Sequence, residues 1–338
     1  MDNTLSKAFD LLRFPLAIMV IFLHIDPTPQ VATLRFDWTA TDGMPLYYMC
    51  VLTVDTLALI AVPCFFFISG YLFFVNAETL NRSYYLHKLR RRVHTLLIPY
   101  IIWNILAAAY LWLTQDIYYS PLWLVFTLPA NFPLWFLRDL IVLIIASPLI
   151  GSLASRTGRV GFIILSFFLL SNLVPTLVVC RFLSFYFFYL GAFCSLRNYC
   201  FDFPSCRRNS LYVWAVILFL GSILSFGTSY APHITALYLV VGVISVVLIA
   251  RYFVQCGVRV IPLLSSASFF IYVTHKLGMT FVAKQLFSWL PQTAYTQTIR
   301  FLTAPFITAG LCLLIYMVWD RISPQTLSLF TGRKKHQL

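Results

Sequence analysis

Apolar segments long enough to cross a membrane recur along the whole chain. An α-helix needs about 20 mainly apolar residues to span the hydrocarbon core. Ten such segments lie near residues 8–25, 48–75, 95–114, 134–152, 160–178, 182–197, 210–228, 234–250, 262–283 and 301–319. Only 10% of the residues are charged, whereas a soluble globular domain has about 25%. We therefore predict an all-α integral membrane protein of ten transmembrane helices, forming a single domain over residues 1–338.

The positions of Lys and Arg predict how the helices are oriented. Cations concentrate in the cytoplasmic loops of membrane proteins. Here they fall mainly in alternate loops, from Lys7 at the start to Arg333 near the end. Both termini are therefore expected in the cytoplasm. This asymmetry, together with anionic lipid headgroups, explains the net charge of +13, so no nucleic-acid partner is expected.

The eight cysteines are scattered through or beside apolar segments, without paired CxxC spacing. Paired spacing is the usual signature of a metal site or a disulfide framework. We therefore expect the cysteines to be small buried apolar residues, and we expect no metal.

The first apolar segment carries two polar side chains, Arg13 and His24, within LLRFPLAIMVIFLH. Ionisable residues at membrane depth are costly and mark functional sites. In a helix the two residues lie about 16 Å apart on nearly the same face. This geometry suits a long anionic donor such as acyl-CoA, with a phosphate at Arg13 and the thioester at the imidazole. Taken singly, each residue also fits an interfacial position, with Arg13 reaching the headgroups.

A dense cationic cluster lies just before the third segment, in YYLHKLRRRVHTLLIPY. Lys88, Arg90, Arg91 and Arg92 place four cations within five residues. Such a cluster is common where it only sets the topology. It would also attract the phosphates of a cytosolic donor that carries a nucleotide.

Two later segments bring polar residues to the outer half of the membrane. The fourth begins PLWFLRDL, which places Trp135 and Arg138 there. The ninth contains SFFIYVTHKLG, with Tyr272 and His275 on one stripe of the helix. Because His275 is expected at a depth similar to that of His24, these residues suggest a polar cavity. An interfacial tryptophan, a snorkelling arginine and a histidine in the core are the ordinary alternatives.

Four segments, in this order, resemble the bacterial membrane acyltransferase family 3. They are LLRFPLAIMVIFLH, VPCFFFISGYLFF followed by LHKLRRRVHTLLIPY, PLWFLRDLIVL and SFFIYVTHKL. With the ten apolar segments, the resemblance covers nearly the whole chain. It implies that Arg13 and His24 carry activity and that the cluster from Lys88 to Arg92 serves the acyl-CoA donor. It does not choose among Arg90, Arg91 and Arg92.

The resemblance implies a multi-pass enzyme of the bacterial cytoplasmic (inner) membrane. We expect it to move an acyl group, most simply acetyl, from cytosolic acyl-CoA to a hydroxyl of an extracytoplasmic acceptor such as a surface or periplasmic glycan. His24 would act as general base, or alternatively as nucleophile. The donor phosphates would be bound by Arg13, Lys88, Arg90, Arg91 and Arg92, and the acceptor side would be shaped by Trp135, Arg138, Tyr272 and His275.

One continuous tunnel is expected to run from Arg13 and Arg92 past His24 to the outer cavity. Ser69 and Gly70 of the second segment would leave room for it beside the first helix. Two other functions compete with the enzyme. A small-molecule transporter would show inverted repeats, and we find none in the sequence. A non-catalytic component of the cell envelope is the other alternative.

Overall fold

The computed structural model describes residues 3–25, 52–77, 80–115, 129–171, 181–285, 289 and 293–333. All regular structure in these ranges is helical, and they contain no strand, as the predicted all-α class requires. In chain order the helices are α1 (Asn3–Leu23), α2 (Thr53–Phe74), α3 (Arg82–Arg92, Val93–Leu97 and Ile98–Gln115), α4 (Trp135–Ile145), α5 (Ser147–Leu170), α6 (Phe182–Leu196), α7 (Ser205–Leu224), α8 (Ala231–Gln255), α9 (Pro262–Gln285), α10 (Ala294–Ile322) and α11 (Pro324–Thr331).

Five of the described helices, α2, α3, α5, α8 and α10, are long and apolar enough to cross a membrane. Large apolar side chains are also exposed on helix surfaces, for example Leu113 on α3, Ile163 on α5 and Val213 on α7. Water disfavours extended apolar surface, whereas lipid accepts it. The protein is therefore a multi-pass membrane protein. The count of ten spans and the side of the termini remain predictions.

The fourth predicted span has a different boundary in the structure. The segment 134–152 is not one helix, because α4 ends at Ile145 and α5 begins at Ser147, after a turn at Ala146. Pro148 lies in the first turn of α5, a position that proline favours because its missing N–H would have no partner there. Gly158 then interrupts α5 with φ 52° and ψ −125°, a conformation that other residues rarely adopt. Apolar composition alone could not reveal the break at Ala146, whereas Gly158 lies between Arg156 and Arg159 in the connection predicted between the fourth and fifth spans.

The contacts of the chain group into two units. The α1 unit comprises residues 2–64 and 200–314, and the α6 unit comprises residues 65–199 and 315–338. In the α1 unit, α1 packs against α8 and α9, and α7 packs against α8. Phe22 of α1 meets Phe301 and Phe306 of α10 edge-on, with ring centroids 5.8 and 5.9 Å apart. These apolar contacts fix the C-terminal end of α1.

In the α6 unit, α2 and α6 touch backbone to backbone at two glycines. A Cβ on Gly70 would overlap the carbonyl oxygen of Phe188, and a Cβ on Gly191 would overlap that of Phe67. Small residues permit such close approach between helices in a membrane. The backbone of α6 fills the space beside Gly70, and the room predicted beside the first helix stays a prediction.

We expect Gly70→Ala and Gly191→Ala each to destabilise the protein by about 1–3 kcal/mol, the usual cost of overpacking. The added methyl would meet backbone atoms, which cannot move aside without separating the helices. Thermal unfolding of the purified protein in detergent measures the effect. Gly310→Ala is the matched control, because a Cβ at Gly310 meets no atom within 4 Å. Equal melting temperatures for Gly70→Ala and Gly310→Ala would contradict this packing.

Candidate active site

Two histidines meet in the α1 unit, at the point where α1 ends. His24 is the first residue after α1, and its ring centroid lies 4.9 Å from that of His275 in α9, edge-on at 63°. His275 is fully buried. The ring of Tyr272, one turn earlier in α9, lies 6.1 Å from His275. The structure thus brings together three residues that the sequence singled out.

Each imidazole is held through Nδ1 by a carbonyl of its own chain segment. Nδ1 of His24 lies 2.8 Å from the carbonyl oxygen of Val20, and Nδ1 of His275 lies 2.6 Å from that of Tyr272. Because a carbonyl can only accept a hydrogen bond, both Nδ1 atoms donate, and in each neutral ring the lone pair is on Nε2. Nε2 of His275 is buried and has no hydrogen-bond partner among the described residues. A hydroxyl of a bound substrate would satisfy it.

Arg13 lies in the middle of α1, about 16 Å from His24 by helical rise. Its side chain is 41% exposed, and its Nη1 pairs with Oδ1 of Asp10 at 3.3 Å, one turn earlier. The sequence interpretation overlooked this partner. An exposed pair of this spacing contributes only about 0.2–0.5 kcal/mol, so it leaves Arg13 able to exchange Asp10 for a phosphate.

The cationic cluster before the third span borders a cavity of about 720 Å³ in the α6 unit. Typical small-molecule sites have volumes of about 300–1,000 Å³. Arg90 and Arg91 line the cavity together with His87 and His94. These four residues fall within about 100° on one side of the helix. Arg333, which the sequence suggested only as a topogenic charge, lines it as well.

The other two cations of the cluster, Lys88 and Arg92, lie on a different side of the helix from Arg90 and Arg91. Nζ of Lys88 lies 5.3 Å from the ring centroid of Tyr84 and 6.0 Å from that of Phe73. Neither Lys88 nor Arg92 belongs to the described residues that line the cavity. The helical repeat accounts for this, since positions 88 and 92 share a different stripe of the helix. The structure thus separates Arg90 and Arg91, which line the cavity, from Lys88 and Arg92, which do not. The sequence alone does not make this distinction.

Trp135 and Arg138 lie in the α6 unit beside two residues that gave no clear signal in the sequence, Asp139 and Arg181. Asp139 is fully buried. Its Oδ1 accepts hydrogen bonds from Nε and Nη2 of Arg138, at 3.2 and 2.9 Å. Its Oδ2 accepts hydrogen bonds from the main-chain N–H of Arg181 at 3.1 Å and from the hydroxyl of Ser184 at 2.9 Å. The Arg181 guanidinium lies 3.9 Å from the centroid of the Trp135 ring. Four donors thus satisfy the carboxylate, which fixes the orientation of Arg138.

The cysteines only partly follow the expectation of burial. Cys64, Cys194 and Cys312 are buried, whereas Cys200, Cys206 and Cys256 are exposed, so the expectation is wrong for the last three. The three exposed cysteines lie near helix ends, next to the connections between helices. Cys50 and Cys180 lie outside the described residues. In the part of the chain that the structure describes, no group of three or more His, Cys, Asp or Glu residues could hold a metal ion.

Comparison with known proteins identifies the family. Residues 6–319 match the family model of an acyltransferase domain, Acyl_transf_3. Succinoglycan biosynthesis protein ExoH of Rhizobium meliloti (strain 1021) is 25% identical over an alignment of 364 positions, which covers 99% of this chain and 94% of that protein. No solved structure matches the chain. Because the family match covers nearly the whole chain, the protein belongs to acyltransferase family 3 and is an acyltransferase.

Proposed function

We propose that the protein is an O-acyltransferase of the bacterial cytoplasmic membrane. It moves an acyl group, most simply acetyl, from cytosolic acyl-CoA to a hydroxyl of an extracytoplasmic acceptor. The observation that carries this proposal is the contact between the imidazoles of His24 and His275, each with its proton at Nδ1. Family membership accounts for acyl transfer, and the two imidazoles offer the base that transfer to a hydroxyl requires. Family membership also favours an enzyme over the transporter and over the non-catalytic envelope component.

In the proposed reaction, Nε2 of His24 removes the proton from the acceptor hydroxyl as the oxygen attacks the thioester carbonyl. The new C–O bond forms and the C–S bond breaks. The imidazolium then gives its proton to the departing CoA thiolate, so the reaction balances without another reactant. Nε2 of His275 accepts a hydrogen bond from the acceptor and holds it beside His24, with Tyr272 adjacent.

The cavity lined by Arg90 and Arg91 is the proposed site for the donor phosphates. Guanidinium groups bind phosphate through paired hydrogen bonds, and a volume of about 720 Å³ has room for a nucleotide. Lys88 and Arg92 lie away from the cavity, and we assign them to topology. The contact of Arg13 with the donor, and the tunnel predicted from the sequence, stay predictions.

A glycan hydroxyl is the proposed acceptor. The relative ExoH is named as a succinoglycan biosynthesis protein, and this name supports a carbohydrate acceptor. Trp135 offers an aromatic face, and Arg138 is held in one orientation by Asp139. Both are residues of the kind that position a polar acceptor. The lipid bilayer is the other expected partner.

The proposed topology has ten spans with both termini in the cytoplasm. The exposed Cys200, Cys206 and Cys256 lie in or beside connections that this topology assigns to the cytoplasmic side. In a Cys50→Ser, Cys180→Ser variant, a maleimide that cannot cross membranes should label them in inverted vesicles but not in spheroplasts. Efficient labelling in intact spheroplasts would contradict the orientation.

We expect His24→Ala to reduce acyl transfer by about 10²–10⁴-fold, the usual loss when a general base is removed. His275→Ala should also reduce transfer, because the acceptor loses a hydrogen bond. Transfer is measured as the mass added to a glycan acceptor in the presence of acetyl-CoA. His233→Ala, in the first turn of α8, is the matched histidine control. A folded His24→Ala protein with activity within twofold of wild type would exclude the base.

We expect Arg90→Ala and Arg91→Ala each to weaken CoA binding by about 10–150-fold, because each removes a charged hydrogen bond worth about 1.5–3 kcal/mol. Calorimetry on the purified protein measures the dissociation constant. Arg92→Ala is the matched control, since it removes the same charge from the same helix away from the cavity. If all three variants bind CoA equally, the cluster serves topology alone.

A further inference from the structure

We infer that the C-terminal segment, residues 324–333, forms the second wall of the cationic cavity and binds the phosphate groups of CoA through Arg333. The inference rests on the proposed function of this cavity as the donor site. It extends that site to residues beyond 319, where the match to the acyltransferase family ends. The segment thus supplies a part of the donor site that the family match does not cover.

The first step of the argument is that this segment is firmly docked. Nε1 of Trp103 in α3 donates to the carbonyl oxygen of Phe330 at 3.0 Å, and the two rings pack edge-on at 5.7 Å. Nε1 of Trp319 donates to Oγ1 of Thr326 at 2.8 Å. Two tryptophans therefore hold α11 by side-chain and main-chain contacts. Such a helix can contribute to a binding site with fixed geometry.

The second step is the close approach at Gly332, directly after α11. Gly332 has φ 65°, and a Cβ there would overlap the backbone of Thr95. Thr95 belongs to the π-helical turn Val93–Leu97, and such turns are frequent at functional sites. Only glycine combines this backbone conformation with this contact. It brings the segment against the part of α3 that carries His94.

The third step is the orientation of Arg333. Its Nη1 donates to the Tyr316 hydroxyl at 2.8 Å and to both carboxylate oxygens of Asp320 at 3.1 Å. These bonds fix the guanidinium while Arg333 lines the cavity. An arginine held by its own carboxylate is preorganised and loses little entropy when it binds an anion.

The fourth step is the charge of the lining. Arg90 and Arg91 stand on α3, and Arg333 stands on the C-terminal segment. The described lining residues include no Asp or Glu. Asp320 offsets the charge of Arg333, so the net positive charge of the lining comes chiefly from Arg90 and Arg91, and an anion bound between them would relieve their mutual repulsion. Gln325 and Ser328 add neutral polar groups from α11, which suits a nucleotide with both phosphates and hydrogen-bonding groups.

The test measures CoA binding by the full-length protein in detergent. Arg333→Ala removes the charge, and Ser328→Glu places a carboxylate on the same wall while Arg333 and Asp320 keep their own side chains. Each should weaken CoA binding by about tenfold. Arg321→Ala is the matched control, because Arg321 is exposed at the end of α10 and outside the lining. Melting temperatures identify any variant that fails to fold.

The outcomes separate this inference from the proposed function. If Arg90→Ala weakens CoA binding but Arg333→Ala and Ser328→Glu match Arg321→Ala, the second wall is wrong and the donor site survives. If Arg90→Ala also has no effect, the proposed donor site itself is wrong.

A lipid headgroup carries the same phosphate chemistry, so the titrations are repeated in nanodiscs. The inference expects the Arg333→Ala effect in nanodiscs of phosphatidylcholine alone. An effect that appears only when phosphatidylglycerol is included would assign the wall to lipid and overturn the inference.

Discussion

The constraint on which the rest of the structure depends is the absence of water in the hydrocarbon core. Backbone N–H and C=O groups must find partners within the chain, and helices are the way to achieve this over contiguous segments. Polar side chains meet the same demand. Nδ1 of His24 and of His275 donate to carbonyls one turn away, and Thr274 and Ser268 donate to Phe270 and Leu264 in the same manner.

This demand also shapes the candidate chemistry. A histidine whose Nδ1 proton is held by a carbonyl has a defined tautomer, so its lone pair points in one direction. The family assigns the reaction, and in the proposed mechanism the defined tautomer suits His24 for accepting a proton and His275 for accepting a hydrogen bond. The buried carboxylate of Asp139 illustrates the same principle for a hydrogen-bond acceptor, since four donors surround it.

The sequence predicts much of this structure because apolar composition and helical periodicity are local properties. The helical class follows from segment length, and the approach of His24 to His275 follows from their similar expected depth. The partner of Arg138 could not be predicted, because adjacent helix positions point about 100° apart and only the length of the arginine side chain closes the gap to Asp139.

Other features depend on the path of the chain in three dimensions. The choice between Arg91 and Arg92 depends on which side of α3 faces α11, and no local pattern contains that information. The break at Ala146 interrupts a continuous apolar stretch, so hydropathy does not register it, whereas the break at Gly158 falls between Arg156 and Arg159, outside the predicted spans. Arg333 enters the cavity through a docked segment more than 200 residues from Arg90 in sequence.

The paired glycines of α2 and α6 have a consequence for motion. Sliding one helix by a single residue would bring Ser69 or Tyr71 into the place of Gly70, and Leu190 or Ala192 into the place of Gly191. Each of these carries side-chain atoms where only backbone fits. The register between the two helices is therefore locked at this contact, and sliding of α2 along α6 at Gly70 and Gly191 is excluded. Movement that admits or releases a substrate has to occur at other helix contacts.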